Sequence, residues 1–517
     1  MAKDRKEQKK KIIDKKVSQI NNSLNKGTLF NNLKDNLSYM KELFVDDDLF
    51  IIREIENNFN PSFRCAIAYC EGLINPNIIN ESIIKPLMIS KNIKKDDTLI
   101  DHLAKRIIQL YNIKKTKIIK DIVESVTYGD VILFIDGIAE VLILNVKKFE
   151  ARSLTEPENE KILIGPREGF IEFLPTNLSL IRRRLRTNKL KFKYLSFGDK
   201  TNTQACICYI DGIVDNKILT ELYKRLKKIK IDGVIDTNYI TELIKDNRFS
   251  PYRTTGYTEK PDVVVGKLLE GRIAIVLDGS PIVLTIPYFF VENFQTSEDY
   301  YMNFYYTSFV RILRILGYFF SITVPAFYLA IIAFHQELLP TPLFINIALE
   351  RQTVPLPTTL EMIVLLTVFD ILKEAGERMP KGIGQSLPIV GAIVIGQAAV
   401  EAKLVAGPMI IIVTFTGITS LLIPKLNAPI IIFQIMLLLL STTLGLFGLT
   451  IGLSYIIIHT LNLKSFGISQ INLTGEFKYQ TLKDTIFRAP WWQMKKRPKQ
   501  ITKNQIRMQQ TEAKQNV

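Results

Sequence analysis

The segment from Ile315 to Leu461 is mostly apolar, whereas the three hundred residues before it are charged and mixed. This division constrains the chain more than any other feature and reads as a soluble part followed by a membrane part. Ile315 to Phe334 gives twenty largely apolar residues, matching the ~20 that a helix needs to cross a bilayer. Pro325 is expected to kink that helix. Arg311 and Arg314 flank its amino end and place it on the cytoplasmic side. Leu360 to Leu372 is shorter and carries Glu361 and Asp370, so it either crosses obliquely with buried acids or dips partway. Gly407 to Ile423 makes another span, closed by Pro424 and Lys425. Pro429 to Leu461 is too long for one untilted span and short for two, with Gly445, Gly448 and Gly452 available for a break. Lys478, Lys483, Arg488 and the run WWQMKKRPK favour a cytoplasmic carboxyl end, which requires an even number of crossings; four or six fit.

Within the apolar region, GIGQSLPIVGAIVIGQAAVEAKLV (Gly382 to Val405) is not uniformly apolar. At ~100° per residue, Ser386 and Gln397 lie only ~20° apart around a helix axis, with Glu401 one turn further along the same side. Val390 and Ile393 occupy the same stripe, and Gly391, Ala398 and Ala402 offer small surfaces for neighbouring helices. A polar and acidic stripe interrupted by aliphatics suits a water-filled or gated pathway, so Ser386, Val390, Ile393, Gln397 and Glu401 are the candidate lining residues. A packed helix, with Gln397 bonded to a neighbour and Glu401 at the interface, accounts for the same residues.

The net charge of +16 is concentrated in the two tails and beside the first apolar span, where an anionic leaflet is the nearer partner than nucleic acid. No zinc knuckle or recognition-helix pattern accompanies it. The amino terminus, MAKDRKEQKKK, is basic without a following apolar core, so it is not a secretory signal and the soluble part is expected to stay cytoplasmic. Cys65, Cys70, Cys206 and Cys208 have no metal-site spacing and read as reduced core residues. His102, His335 and His459 stand in no nucleophile or metal motif. The chain gives catalysis little to work with; neither an enzyme nor a cofactor is expected.

In the soluble part, RCAIAYCEGLI reads as a strand before a Pro-containing turn, followed by helical patterns. VILFIDGIAEVLILNV places two apolar, β-branched runs about Asp136-Gly137, a hairpin signal in which the glycine takes the positive φ of a two-residue turn. ACICYIDGIV centres on Asp211-Gly212 and RIAIVLDGSPIVLTIP on Asp278-Gly279, so one device is reused three times. Strands alternating with helices give an α/β (α+β) fold of two subdomains.

GPREGFIE (Gly165 to Glu172) with NLSLIRRRLR (Asn177 to Arg186), the stretch from Pro251 to Tyr301, and the block from Glu374 to Val405 together resemble the A-subunit family of bacterial spore germination receptors. The likeness covers most of the chain beyond about residue 50. The resemblance implies a nutrient-germinant receptor subunit of the inner spore membrane, working with a transporter-like B subunit and a lipoprotein C subunit. It further implies a self-assembling, nutrient-gated ion channel, plausibly a pentamer by analogy alone. Arg167, Glu168 and the run Arg182, Arg183, Arg184 and Arg186 are candidates for bidentate pairs at a subdomain interface, though a solvated helix face is the more usual place for an arginine run, and Asp278-Gly279 is a candidate coupling element before the membrane. The competing classes are a secondary transporter, which an inverted repeat with paired broken helices would favour, and a non-conducting scaffold; no such duplication is found in the apolar region. The expected domains are a basic, disordered tail (1–45), two α/β subdomains (46–160 and 161–300), a helical membrane domain of four to six spans (301–461) and a basic cytoplasmic tail (462–517).

Overall fold

The apolar runs around Asp136 and Asp278 become the central strands of two five-stranded sheets in a computed structural model of the chain. It describes residues 27–91, 99–147, 156–157, 160–378, 394, 396–471, 484–498, 500–502, 504 and 506–507. The chain divides into two units: Met1–Ile244 with Tyr257–Ile286 and Arg497–Gln505, and Lys245–Gly256 with Pro287–Lys496 and Ile506–Val517.

In the first unit, helix α1 (Leu33–Leu43) precedes strands β1 (Phe50–Glu56) and β2 (Arg64–Cys70). Strand β3 (Ile113–Thr116), helix α2 (Ile119–Thr127) and strands β4 (Val131–Ile135) and β5 (Val141–Leu144) follow. Every residue of β4 is buried because both faces of the sheet are covered. Val131, Leu133 and Ile135 pack with Ile83, Leu87 and Leu103 on one face. Ile132 and Phe134 pack with Leu33, Met40 and Ile122 of α1 and α2 on the other. This is the period-2 division that an alternating strand dictates. Helix α1 supplies core residues, so the fold begins well before residue 46 and the predicted tail of 1–45 is too long; residues 1–26 lie outside the described ones.

The second half of the unit repeats the first. Helix α3 (Leu174–Arg184), strands β6 (Leu190–Phe197) and β7 (Thr203–Ile210), helices α4 (Asn216–Leu226) and α5 (Thr237–Ile244), strand β8 (Gly256–Thr258), helix α6 (Pro261–Leu269) and strands β9 (Ile273–Leu277) and β10 (Val283–Ile286) follow in order. The sheet orders are β1-β2-β4-β5-β3 and β6-β7-β9-β10-β8, the same topology twice. Fine details repeat as well. The Asn36 side chain exchanges two hydrogen bonds with the Phe30 backbone (2.9 and 2.7 Å), and Asn177 does the same with Ile171 (2.9 and 2.5 Å). Leu33 N donates to Asp136 Oδ1 at 3.3 Å, and Leu174 N to Asp278 Oδ1 at 3.0 Å. Two copies of one α/β fold therefore stand in tandem.

The Asp-Gly pairs differ from the expected two-residue hairpins. Asp136 to Glu140 and Ser280-containing 278–282 are five-residue connections between antiparallel strands, with Gly137 and Gly279 at φ 86° and 83°. Their aspartates are spent on the amino ends of α1 and α3, where orphan N–H groups need acceptors. Asp211-Gly212 is no hairpin at all: it leads from β7 into α4, whose N-cap Asp215 accepts from Lys217 N at 2.8 Å. The four cysteines are free and buried, and burial pushes the Cys65 and Cys70 thiols up to about 12, which leaves them unreactive.

The second unit is a bundle built on helix α7 (Phe304–Phe334). Helices α8 (Thr341–Gln352), α9 (Thr358–Arg378), α10 (Gly407–Leu421) and α11 (Asn427–Leu461) follow. Helix α11 breaks at Gly445, whose φ 61° and ψ −140° are non-helical. A Cβ on Gly452 would lie 2.4 Å from Leu437 Cδ2, and one on Gly448 would lie 2.1 Å from Leu440 O. Residues fifteen apart are ~22 Å apart along a straight helix, so the two arms, 427–444 and 446–461, fold back on each other as a helical hairpin.

Contacts along the bundle fix its directions. At one end, Gly445 abuts Phe334 and His335, Thr359 meets Thr442 at 3.3 Å, and Ala406 N donates to Glu361 at 2.7 Å. At the other, Lys373 Nζ donates to Asn427 Oδ1 at 3.0 Å, Gly317 approaches Thr419 O, and Phe433 lies near His459. The chain therefore runs along α7, returns along α9, runs the same way as α9 along α10, and completes the hairpin; α9 ends and α10 begins at opposite ends of the bundle. Among the described residues these are five passes, α7, α9, α10 and the two arms of α11, with Phe304 and Leu461 at the same end.

Pro325 lies inside an unbroken α7, where it leaves the Ser321 carbonyl without its helical donor. Gln434 Nε2, on the first hairpin arm, donates to that carbonyl at 3.3 Å, and both residues are buried. Gln434→Leu should therefore destabilise the bundle by about 1–3 kcal/mol, the cost of a buried unsatisfied group. Adding Pro325→Ala restores the donor and should recover most of the loss. Thermal melts of the two single variants and the double variant check this; equal losses in the presence and absence of Pro325 would contradict it.

Candidate coupling and pathway sites

The motif residues of the second repeat act as its braces. Helix α3 ends on three arginines whose positions three and four residues after Ser179 and Leu180 put them on different faces. Arg182, fully buried, pairs with Asp47 from the segment joining α1 to β1, and stacks on the Phe192 ring at 4.6 Å. Asp48 N donates to Phe192 O at 2.9 Å, Tyr194 N to Asp48 Oδ2 at 2.9 Å, and Lys193 pairs with Asp46 at 2.8 Å. One acidic turn of the first repeat thus clamps the first strand of the second.

Glu168 receives both Arg183, at 2.5 Å, and Arg184. Its partial burial raises the carboxyl, but the hydrogen bonds and charges of the two guanidinium groups outweigh that and hold its pKa below the usual range. Arg167 stands apart, exposed and 3.9 Å from Glu156. Asp278 caps α3 and Gly279 N donates to Glu172 O at 2.7 Å. Of the motif residues Arg167, Glu168, Arg182, Arg183, Asp278 and Gly279, all but Arg167 brace the second repeat and its junction with the first. Asp47, the partner of the buried arginine, carried no sequence signal beyond the run Asp46-Asp47-Asp48.

In the helical unit, the connector Lys245–Gly256 is anchored by Tyr252. Tyr252 is buried, with its hydroxyl 2.5 Å from Tyr318 OH and its ring 5.4 Å from those of Phe290 and Phe433. Ser250 Oγ lies 3.0 Å from His459 Nε2, Ser465 Oγ donates to Thr254 O at 2.6 Å, and Gln470 Nε2 to Arg253 O at 3.0 Å. Ser465 and Gln470, just after Leu461, are accordingly held on the connector.

Arg311 and Arg314 also differ from the expected flanking charges. Arg311 is fully buried, donating from Nε to Asp299 at 2.7 Å and from Nη1 to Asp484 at 2.8 Å. Arg314 pairs with the same Asp299 at 2.9 Å. The partners of Arg311 lie 12 and 173 residues away and that of Arg314 lies 15 away, beyond the reach of local pattern reading.

Of the candidate pathway residues, Ser386, Val390 and Ile393 lie outside the described residues. Gln397 and Glu401 are exposed on the bundle's outer side, and Gln397 Nε2 donates to Glu401 Oε1 at 3.0 Å. Val394, Val400 and Leu404 beside them are exposed too. Inside the bundle, Asp370, Lys373, Asn427 and Gln434 line a gap of ≈ 20 Å³, the space of about one water. Glu361 is buried; Oε1 takes the Ala406 N–H, and Oε2 has no hydrogen-bond partner among the described residues. No group of three or more His, Cys, Asp and Glu among the described residues could hold a metal.

These parts define a class: a duplicated α/β unit joined to a helical unit in which Phe304–Phe334 and Pro424–Leu461 are long and apolar enough to cross a membrane. The family described as the Bacillus/Clostridium GerA spore germination protein matches residues 38–500. The chain belongs to that family. It is 38% identical over 465 residues to spore germination protein KA of Bacillus subtilis (strain 168), covering 90% of this chain and 85% of that protein. It is 38% identical over 469 residues to the uncharacterized membrane protein YfkQ of the same organism, covering 90% and 91%. Spore germination protein GerLA of Bacillus cereus is 33% identical over 479 residues, covering 92% and 96%. A crystal structure of the N-terminal domain of the A subunit of the Bacillus megaterium spore germinant receptor GerK3 aligns with a TM-score of 0.41 at 33% identity, covering 50% of this chain and 95% of that one.

Proposed function

We propose that the chain is the membrane subunit of a nutrient-germinant receptor in the inner spore membrane, crossing six times with the duplicated unit and both termini on the cytoplasmic side. Several copies, five by analogy with the family, surround a nutrient-gated pathway for ions, and a transporter-like B subunit and a lipoprotein C subunit complete the receptor. The reading is of a signalling channel, not an enzyme. One observation carries it: Gln397 and Glu401 are exposed on the outside of a single bundle, while the gap lined by Asp370, Lys373, Asn427 and Gln434 within it is the size of one water. A polar face set among exposed aliphatics costs free energy against lipid and gains it against water. A ring of copies supplies that water. An even number of crossings supports the common side, since Phe304 and Leu461 share one end of the bundle and α9 ends opposite to where α10 begins.

The proposed lining is Ser386, Val390, Ile393, Gln397 and Glu401, with the aliphatics as the closed constriction and Glu401 gathering cations at one mouth. Purified protein in liposomes tests it. Ile393→Ala should leak monovalent cations without nutrient, and Glu401→Gln should lower flux while assembly is unchanged. Unaltered resting and stimulated flux from normal amounts of assembled Ile393→Ala protein would move the pathway to another helix.

A further inference from the structure

The tandem repeats present one face twice, and each copy of the face is covered by a different piece of chain. On the first repeat the face is formed where β2 leaves the sheet, at Gly72, and where α2 ends, at Tyr128 and Gly129. The second repeat covers it. A Cβ on Gly72 would lie 3.4 Å from Pro175 O and 3.8 Å from Ser179 Cβ, and the Arg186 guanidinium sits 3.6 Å from the Tyr128 ring centroid. On the second repeat the matching positions are Gly212-Ile213, after β7, and Leu269 to Gly271, at the end of α6. The likeness extends to backbone angles, with Gly129 and Gly271 at φ 96° and 98°.

Among the described residues no third repeat covers the second face. The segment that begins at Arg497 does so instead. Arg497 Nε donates to Leu269 O at 2.6 Å, at the carboxyl end of α6 where a cation is favoured. Thr502 Oγ1 donates to Ile213 O, and Asn504 Nδ2 donates to Gly212 O at 3.3 Å. Ile501 is fully buried and Thr502 is 2% exposed. A Cβ on Gly271 would lie 3.0 Å from Thr502 Cβ, so the absence of a side chain there lets the segment approach. An arginine at the helix end thus recurs on both faces, and the strand exit is met on the first by Pro175 and Ser179 against Gly72 and on the second by hydrogen bonds to the Gly212 and Ile213 carbonyls.

We propose that the face on the second repeat is a peptide-docking site and that the carboxyl-terminal strap, Arg497 to Asn504, is its built-in occupant. Ile501 is the anchor, Thr502 and Asn504 read the Gly212-Ile213 backbone, and Arg497 reads the end of α6. The strap is a segment distant in sequence from the repeat, and among its described residues Ile501 is the buried apolar side chain, so it is a ligand of the repeat and not part of its core. Its tether holds it at an effective concentration on the order of millimolar, which excludes a free competitor of ordinary affinity.

The test uses the full chain in detergent and a fluorescein-labelled synthetic peptide spanning residues 495–507. The native chain should bind the peptide weakly, because its own strap fills the face. A full-length variant carrying Ile501→Asp and Thr502→Val should bind it saturably and at least about tenfold more tightly, a difference of ~1.4 kcal/mol. A chain ending at Met494 should behave like that variant. A peptide bearing the same two substitutions, and a scrambled peptide of equal charge, should bind at least about tenfold more weakly to the opened face. Equal binding to native and substituted chains, no binding to the substituted chain, or equal binding of the scrambled peptide would each overturn the proposal. None of these outcomes depends on ion flux, so the proposal stands or falls apart from the channel reading.

Discussion

Arg311→Ala is expected to cost the helical unit roughly 3–5 kcal/mol, the effect of removing one partner from a buried charge cluster. The guanidinium is fully buried and joins Asp299 to Asp484, and Asp299 is itself only 3% exposed. Without it, Asp299 loses one of two guanidinium partners and Asp484 loses a buried one, so the loss is larger than that of one exposed pair. Arg311→Lys should recover only part of it, because one ammonium cannot span two carboxylates with the planar fork of a guanidinium. The exposed i, i+4 pair of Glu374 and Arg378, with side chains 57% and 79% accessible, is the internal control. Arg378→Ala should change stability by less than about 0.5 kcal/mol. Thermal melts of detergent-solubilised protein, read by the amount surviving size exclusion, compare the variants. Equal melting of the Arg311→Ala and Arg378→Ala proteins would show that the cluster does not hold the start of α7 in place.

That cluster also marks where sequence reasoning reached its limit. The apolar run, its length and its amino-terminal arginines were all legible, but the acids that absorb those arginines were not, because Asp484 follows after the whole bundle. Strands β4, β5, β9 and β10 were legible for the opposite reason: their β-branched residues alternate between two faces within a few positions of a glycine-bearing turn. The destination of Asp136 and Asp278 was hidden, since each caps a helix more than a hundred residues upstream. The duplication is not legible in the sequence either. Its repeats share positions more than residues, so that Cys65 stands opposite Ala205 while Ala66 stands opposite Cys206, and packing tolerates such exchanges when volume is kept. Of the candidate pathway, periodicity placed Gln397 and Glu401 on one side, and the described helix 396–401 pairs them. The three positions before them fall outside the described residues.

Gly445 was legible as a possible break but not as a reversal, and its replacement carries the other large expected effect. At φ 61° and ψ −140° it occupies a region that essentially only glycine adopts, so any side chain brings about 1–3 kcal/mol of backbone strain. A Cβ there would also lie 3.0 Å from Phe334 Cβ and from His335 Cε1, where the end of α7 has no flexible tip to yield. Gly448→Ala adds a second obstacle of another kind, because its Cβ would lie 2.1 Å from Leu440 O on the facing arm, and a backbone carbonyl can move only if the arm moves. Both substitutions should therefore open the hairpin, by strain at the tip in one case and by a wedge between the arms in the other. Gly467→Ala separates these effects from the cost of losing a glycine: Gly467 also has positive φ, at 81°, but its Cβ would meet nothing within 4 Å. If the hairpin is what brings Leu461 back to the end where α7 begins, the first two variants should lower the yield of folded protein severalfold and expose the arms to thiol reagents at cysteines placed on Leu437 and Leu440. Gly467→Ala should do neither. Protection of both cysteines in Gly448→Ala, at native yield, would mean that the arms do not pack as a hairpin and that the even count of crossings fails with them.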